Sequence, residues 1–129
     1  MVPKKAVYTT LFISWVLLVT VLSLFDFDPN DEGIPIPYLD KLVHFVFYLL
    51  FVILGGLMWQ SGKPMPATLK KTILWVVIAV LYGLLMEALQ DLLPIDRSAE
   101  IFDVLANTLG AVMGGLLIKT YFSRTHALK

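Results

Sequence analysis

Ala6–Phe25 reads AVYTTLFISWVLLVTVLSLF, twenty residues without a charged side chain, preceded by Lys4 and Lys5. At about 1.5 Å of rise per residue, such a helix is roughly 30 Å long, the thickness of a bilayer's hydrocarbon core. The stretch therefore reads as a transmembrane helix. The competing reading is a cleaved signal peptide. The run is longer than the usual signal core, and Leu22-Ser23-Leu24-Phe25 offers no small-x-small cleavage site, so an uncleaved anchor is expected.

The rest of the chain agrees with this solvent. Of 129 residues, 58% are hydrophobic and only 16% charged, and the mean hydropathy is +0.80. A soluble bundle of this size needs a polar face on each helix, whereas here the apolar runs are almost unbroken all the way round. With no cysteine, disulfides, thiolate metal ligands and cysteine nucleophiles are excluded. No basic stripe supports nucleic-acid binding.

Three further apolar runs complete the reading: spans at about 6–25, 42–60, 72–93 and 101–121. The expected fold is all-α, an integral membrane bundle of four transmembrane helices with short loops, forming a single domain over 1–129. The segment from Asp26 to Asp40 is an acidic loop with three prolines. Lys4, Lys5, Lys63, Lys70, Lys71, Lys119, Arg124 and Lys129 all fall on one side of this topology, leaving Lys41 and Arg97 opposite. Basic residues concentrate on the cytoplasmic side, so both termini are expected there, in a multi-pass protein of the plasma (inner) membrane.

Polar residues within the spans carry the functional reading. Asp40, His44 and Tyr48 recur at i, i+4 and i+8 and share one helix face. Glu87, Gln90 and Asp91 share a face of the third span, continuing a stripe of small residues that includes Ala79 and Gly83. Asp103 and Asn107 lie one turn apart on the fourth, beside the packing series Ala106, Gly110 and Gly114. Counting helical rise from the outer helix ends puts His44, Glu87, Asp103 and Asn107 all roughly 5 to 10 Å deep. An unpaired charge at the bilayer centre costs about 3 kcal/mol on insertion scales, so these groups are expected to face each other or a wet cavity.

These residues resemble the VanZ-like family. Its pattern reads here as Asp40-Lys41-x-x-His44-Phe45-x-x-Tyr48, then Gly83-x-x-x-Glu87-x-x-Gln90, then Arg97 with Asp103-x-x-x-Asn107-x-x-Gly110. The match runs from Asp40 to about Gly114, and the order and spacing of three separate motifs carry it. The resemblance implies a compact multi-helix membrane domain, named after a member that raises resistance to the glycopeptide antibiotic teicoplanin.

The expected function is a polar pocket facing the outer leaflet, formed by Asp40, Lys41, His44, Tyr48, Glu87, Gln90, Arg97, Asp103 and Asn107. It would bind a cell-envelope lipid, a cell-wall precursor peptide or a glycopeptide, and serve envelope physiology or antibiotic tolerance. An anionic headgroup would require Lys41 and Arg97 to converge while the surrounding acids pair elsewhere. One alternative is an intramembrane enzyme acting on a lipid-linked envelope substrate with Glu87 or His44 as acid or base, although no activated nucleophile or hydrolase signature is present. The other is a structural or assembly scaffold. His44, Glu87 and Asp103 could offer one nitrogen and two carboxylates to a metal, but no local ligand spacing supports this, and neither a metal nor a cofactor is expected. Membrane lipid is the expected surrounding partner, and nothing in the sequence asks for a homo-oligomer.

Overall fold

The computed structural model describes residues 3–25, 38–61, 63, 68–94 and 99–127, with side chains to Thr125. Among the described residues there are four helices: α1 Lys4–Leu24, α2 Leu39–Gln60, α3 Leu69–Leu92 and α4 Ile101–Ala127. Each is long and apolar enough to cross a membrane. Helices are what such sequences must form in lipid, because every backbone N–H and C=O has to find its partner within the segment.

The helices start two or three residues before the apolar runs at Lys4, Leu39 and Leu69, and α4 continues six residues past Tyr121. The reason is physical. Apolar composition marks the hydrocarbon core, whereas the backbone ladder continues through the headgroup layer until something stops it. Thr68 begins α3 by accepting a hydrogen bond from the Lys71 backbone N–H at 3.4 Å. Tyr38, ahead of α2, takes a left-handed conformation with φ 63°. Its carbonyl still accepts the Leu42 N–H at 3.1 Å.

The chain runs up, down, up, down. α2 and α4 share the largest interface, α3 packs mainly on α4, and α1 lies against α2 with a smaller contact on α3. Among the described residues α1 does not pack on α4. Tyr48, Phe51, Val52, Ala79 and Ala111 form the buried centre, and Phe12, Trp15 and Trp75 pack around it. Outward faces carry Leu, Ile and Val throughout, as lipid-facing surfaces require.

The α2–α4 contact is made at backbone distance. A methyl group added at Gly110 would collide with the Phe45 carbonyl, and one at Gly114 would come 2.5 Å from the Leu49 carbonyl oxygen. Ala106, one turn before Gly110, is buried in the same seam. Gly83 on α3 has a different task, admitting the Tyr48 ring and the Asn107 amide, which a methyl would approach to 3.1 and 3.2 Å.

α1 is held instead by side-chain hydrogen bonds, one of them from the Tyr82 hydroxyl to the Val16 carbonyl at 3.3 Å. Trp15 Nε1 donates to the Phe47 carbonyl at 3.0 Å, the Thr20 and Tyr82 hydroxyls meet at 2.5 Å, and Gln90 Nε2 donates to the Ser23 carbonyl at 2.9 Å.

Candidate functional site

The polar residues gather at one end of the bundle, where α2 and α4 begin and α3 ends. Antiparallel order makes this possible: a residue one or two turns into α2 or α4 lies level with a residue one or two turns before the end of α3.

Lys41 forms the outer layer. Its Nζ lies 2.6 Å from Asp40 Oδ2, 2.5 Å from Glu100 Oε2 and 2.7 Å from Asp103 Oδ1. One ammonium thus joins the first turn of α2 to the start of α4. A lysine at a helix start commonly extends to water. This one is only 20% exposed, because three carboxylates hold it.

Beneath it lies a buried layer. His44 Nδ1 is 3.0 Å from Asn107 Oδ1, within hydrogen-bonding range. An amide oxygen can only accept, so Nδ1 carries the proton, and the opposite nitrogen, Nε2, faces Asp103 Oδ2 at 3.7 Å. Glu87 reaches across from α3. Its Oε2 accepts the Glu100 backbone N–H at 3.2 Å, so a carboxylate from one helix caps the exposed amides and positive dipole end of the next. Its Oε1 lies 3.9 Å from His44 Nδ1, beyond hydrogen-bonding distance. Glu87 Oε1 and the Asn107 amide nitrogen are both buried without a hydrogen bond.

A cleft of about 360 Å³ opens beside His44, between the end of α1 and the start of α2. Leu22 and Ser23 of α1 form one wall, and Asp40, Val43, His44 and Phe47 of α2 form the other. His44 therefore has the cleft on one side and the acidic layer on the other.

Six of the residues expected from sequence come together here: Asp40, Lys41, His44, Glu87, Asp103 and Asn107. Others do not. Gln90 is buried but bonds the Ser23 carbonyl, clamping α3 to α1. Asp91, expected on the same face as Glu87, is exposed near the end of α3. Tyr48 is buried one turn deeper, where its ring stacks on Phe51 at 6.4 Å. Arg97, like Asp96 and the acidic loop after α1, lies outside the described residues, so the expected convergence of Lys41 and Arg97 has no geometry here. Lys41 itself is held by acids.

Two contributors lay outside the nine residues expected to form the pocket. Glu100 precedes α4 and looks like loop composition, yet it supplies both a carboxylate to Lys41 and the N–H that Glu87 caps. Its position three residues before Asp103, at a helix start, was the available signal. On the α1 wall of the cleft, Ser23 was the single polar residue available as a marker.

Searches of curated proteins and of solved structures gave no match. A family model described as VanZ/LLP1 matches residues 2–122, which adds α1 to the stretch that carries the three motifs. The four-helix membrane protein with this polar end belongs to the VanZ/LLP1 family.

Proposed function

We propose that the protein binds an amphiphilic cell-envelope molecule, of lipid, peptide or glycopeptide type, in the outer leaflet of the plasma membrane, and so contributes to envelope physiology or antibiotic tolerance. The observation that carries this reading is the cleft at His44. Apolar walls from α1 and α2 suit an acyl chain, and they meet polar groups at the depth where a headgroup lies. The lysines and arginine at the opposite end support placing this end outside.

The headgroup is expected to donate protons rather than to be a bare anion. Asp40, Glu87, Glu100 and Asp103 outnumber Lys41, and Lys41 is already engaged by three of them. An amine or hydroxyl-bearing headgroup meets free acceptor capacity at Asp40, the acid that lines the cleft, whereas a phosphate alone meets repulsion.

The test is retention of envelope amphiphiles by the purified protein, read by native mass spectrometry, together with glycopeptide tolerance of cells. Wild-type protein is expected to retain an amine- or hydroxyl-bearing amphiphile. Glu87→Gln and Asp103→Asn are expected to weaken retention about tenfold, about 1.4 kcal/mol. Unchanged retention and unchanged tolerance, at normal membrane abundance of both variants, would overturn the reading. Orientation is separately accessible because the chain lacks cysteine. A single cysteine at position 30 is expected to label from outside and one at position 66 to be protected.

A further inference from the structure

From the buried layer we propose a site for a divalent transition-metal ion of the zinc type, with His44, Glu87 and Asp103 as its ligands. This goes beyond the amphiphile reading and does not depend on it. No local motif announces such a site, because each ligand comes from a different helix: α2, α3 and α4.

The first support is convergence. One donor atom from each of the three residues lies within 4.8 Å of those of the other two. Bonds of about 2.1 Å to a tetrahedral ion put its ligand atoms about 3.4 Å apart. His44 Nε2 stands 3.7 Å from Asp103 Oδ2, too long for a hydrogen bond and close to that span, while Glu87 Oε1 approaches the same imidazole from its Nδ1 side at 3.9 Å. All three residues are more than nine-tenths buried, with 6%, 4% and 7% exposure for His44, Glu87 and Asp103.

The second support is that acceptors face acceptors. In its neutral form, with the Nδ1 proton directed at Asn107, His44 turns the Nε2 lone pair towards the Asp103 carboxylate. Glu87 Oε1 is buried without a hydrogen bond. Lone pairs gathered out of water without a proton or cation between them are costly, and a buried orphan of this kind in a folded protein calls for an ion or water.

The third support is the fastening of each ligand's remote atom. Asn107 holds His44 Nδ1, the Glu100 N–H holds Glu87 Oε2, and Lys41 holds Asp103 Oδ1. Metal ligands are oriented by outer partners of this kind. Two carboxylates and a dication sum to a neutral centre, which favours this inner group within a membrane. The neighbouring acidic group of Asp40, Glu100 and Asp103 also converges, but the Lys41 ammonium already sits among its oxygens. Three protein ligands leave a fourth position open.

The test uses the full chain in detergent, stripped with a chelator and titrated with Zn²⁺ against a chromophoric competitor, with no envelope amphiphile present. One ion per chain is expected, with an imidazole nitrogen and oxygens in its X-ray absorption spectrum, and with a Zn²⁺-dependent rise in the wild-type Tm. Asn107→Ala, which frees His44 Nδ1, is expected to weaken affinity about 10- to 100-fold. Glu87→Gln and Asp103→Asn should lose more, and Asp91→Asn should match wild type. If a variant fails to fold, the wild-type stoichiometry, spectrum and Tm still decide. Absence of stoichiometric Zn²⁺, a spectrum without imidazole, or an affinity unchanged in a folded Glu87→Gln would overturn the proposal. Repeating the amphiphile measurement in chelator separates the two ideas: retention there without Zn²⁺ binding sinks the metal site alone.

Discussion

α1 and α4 are both apolar helices of membrane-spanning length, yet they are attached to the bundle by different physics. In the most apolar window of α1, 11% of residues are buried, against 39% for α4. α4 meets α2 through glycines that bring backbones together, where many small dispersion contacts add up. α1 has no such seam and relies on side-chain hydrogen bonds at Trp15, Val16, Thr20 and Ser23 and on ring contacts of Phe12 and Trp15. Lipid tails are as apolar as leucine, so apolarity alone holds neither helix to the bundle. The buried acids and His44 stand on the tightly packed trio, and α1 forms one wall of the cleft.

The largest test of this contrast is Gly110→Val. The new side chain meets the Phe45 carbonyl, a backbone atom that cannot swing away, and we expect destabilisation of about 3 kcal/mol with loss of a monodisperse folded protein in detergent. A variant that unfolds at the wild-type temperature would show that the α2–α4 seam is not the keystone.

Next comes Lys41→Met. Removing the ammonium leaves Asp40, Glu100 and Asp103 facing one another without a counter-charge. Breaking a fully buried pair costs about 3 to 5 kcal/mol. Asp40 and Glu100 are about half exposed, so screening brings the expectation down to about 2 kcal/mol. Adding Asp103→Asn should restore part of the loss in thermal unfolding, and a purely additive double variant would deny the coupling.

The smallest effect belongs to Gln90→Leu, which breaks the clamp between α3 and α1. Interhelical hydrogen bonds in membranes contribute about 0.6 to 2 kcal/mol, and about 1 kcal/mol is expected here. The consequence should be local. Hydrogen exchange is expected to rise in α1 while α2 and α4 keep their protection, and a uniform rise across all four helices would erase the distinction between them.

How far the site was legible follows from what a helix does to sequence number. Rise per residue converts position into depth, so His44, Glu87, Asp103 and Asn107 could be placed at one level before any tertiary contact was known. Direction around the helix axis is harder. Glu87, Gln90 and Asp91 share a helix face by spacing, yet Glu87 turns to α4, Gln90 to α1 and Asp91 outwards. Which neighbour stands where decides among them. The role of Glu100 was not foreseen because composition placed it in a loop, although the loop residue next to a helix start supplies the amide that needs capping.

Composition and periodicity therefore determined the solvent, the number of spans, their approximate ends and the depth of the polar groups. Each of these depends on transfer free energy and helical geometry, which act residue by residue along a single segment. The tertiary structure alone decided that Lys41 is shared by three acids, that Gln90 serves α1, and that Nε2 of His44 faces a carboxylate. Those outcomes depend on distances between helices, and the distances were set where Gly110 and Gly114 let two backbones touch.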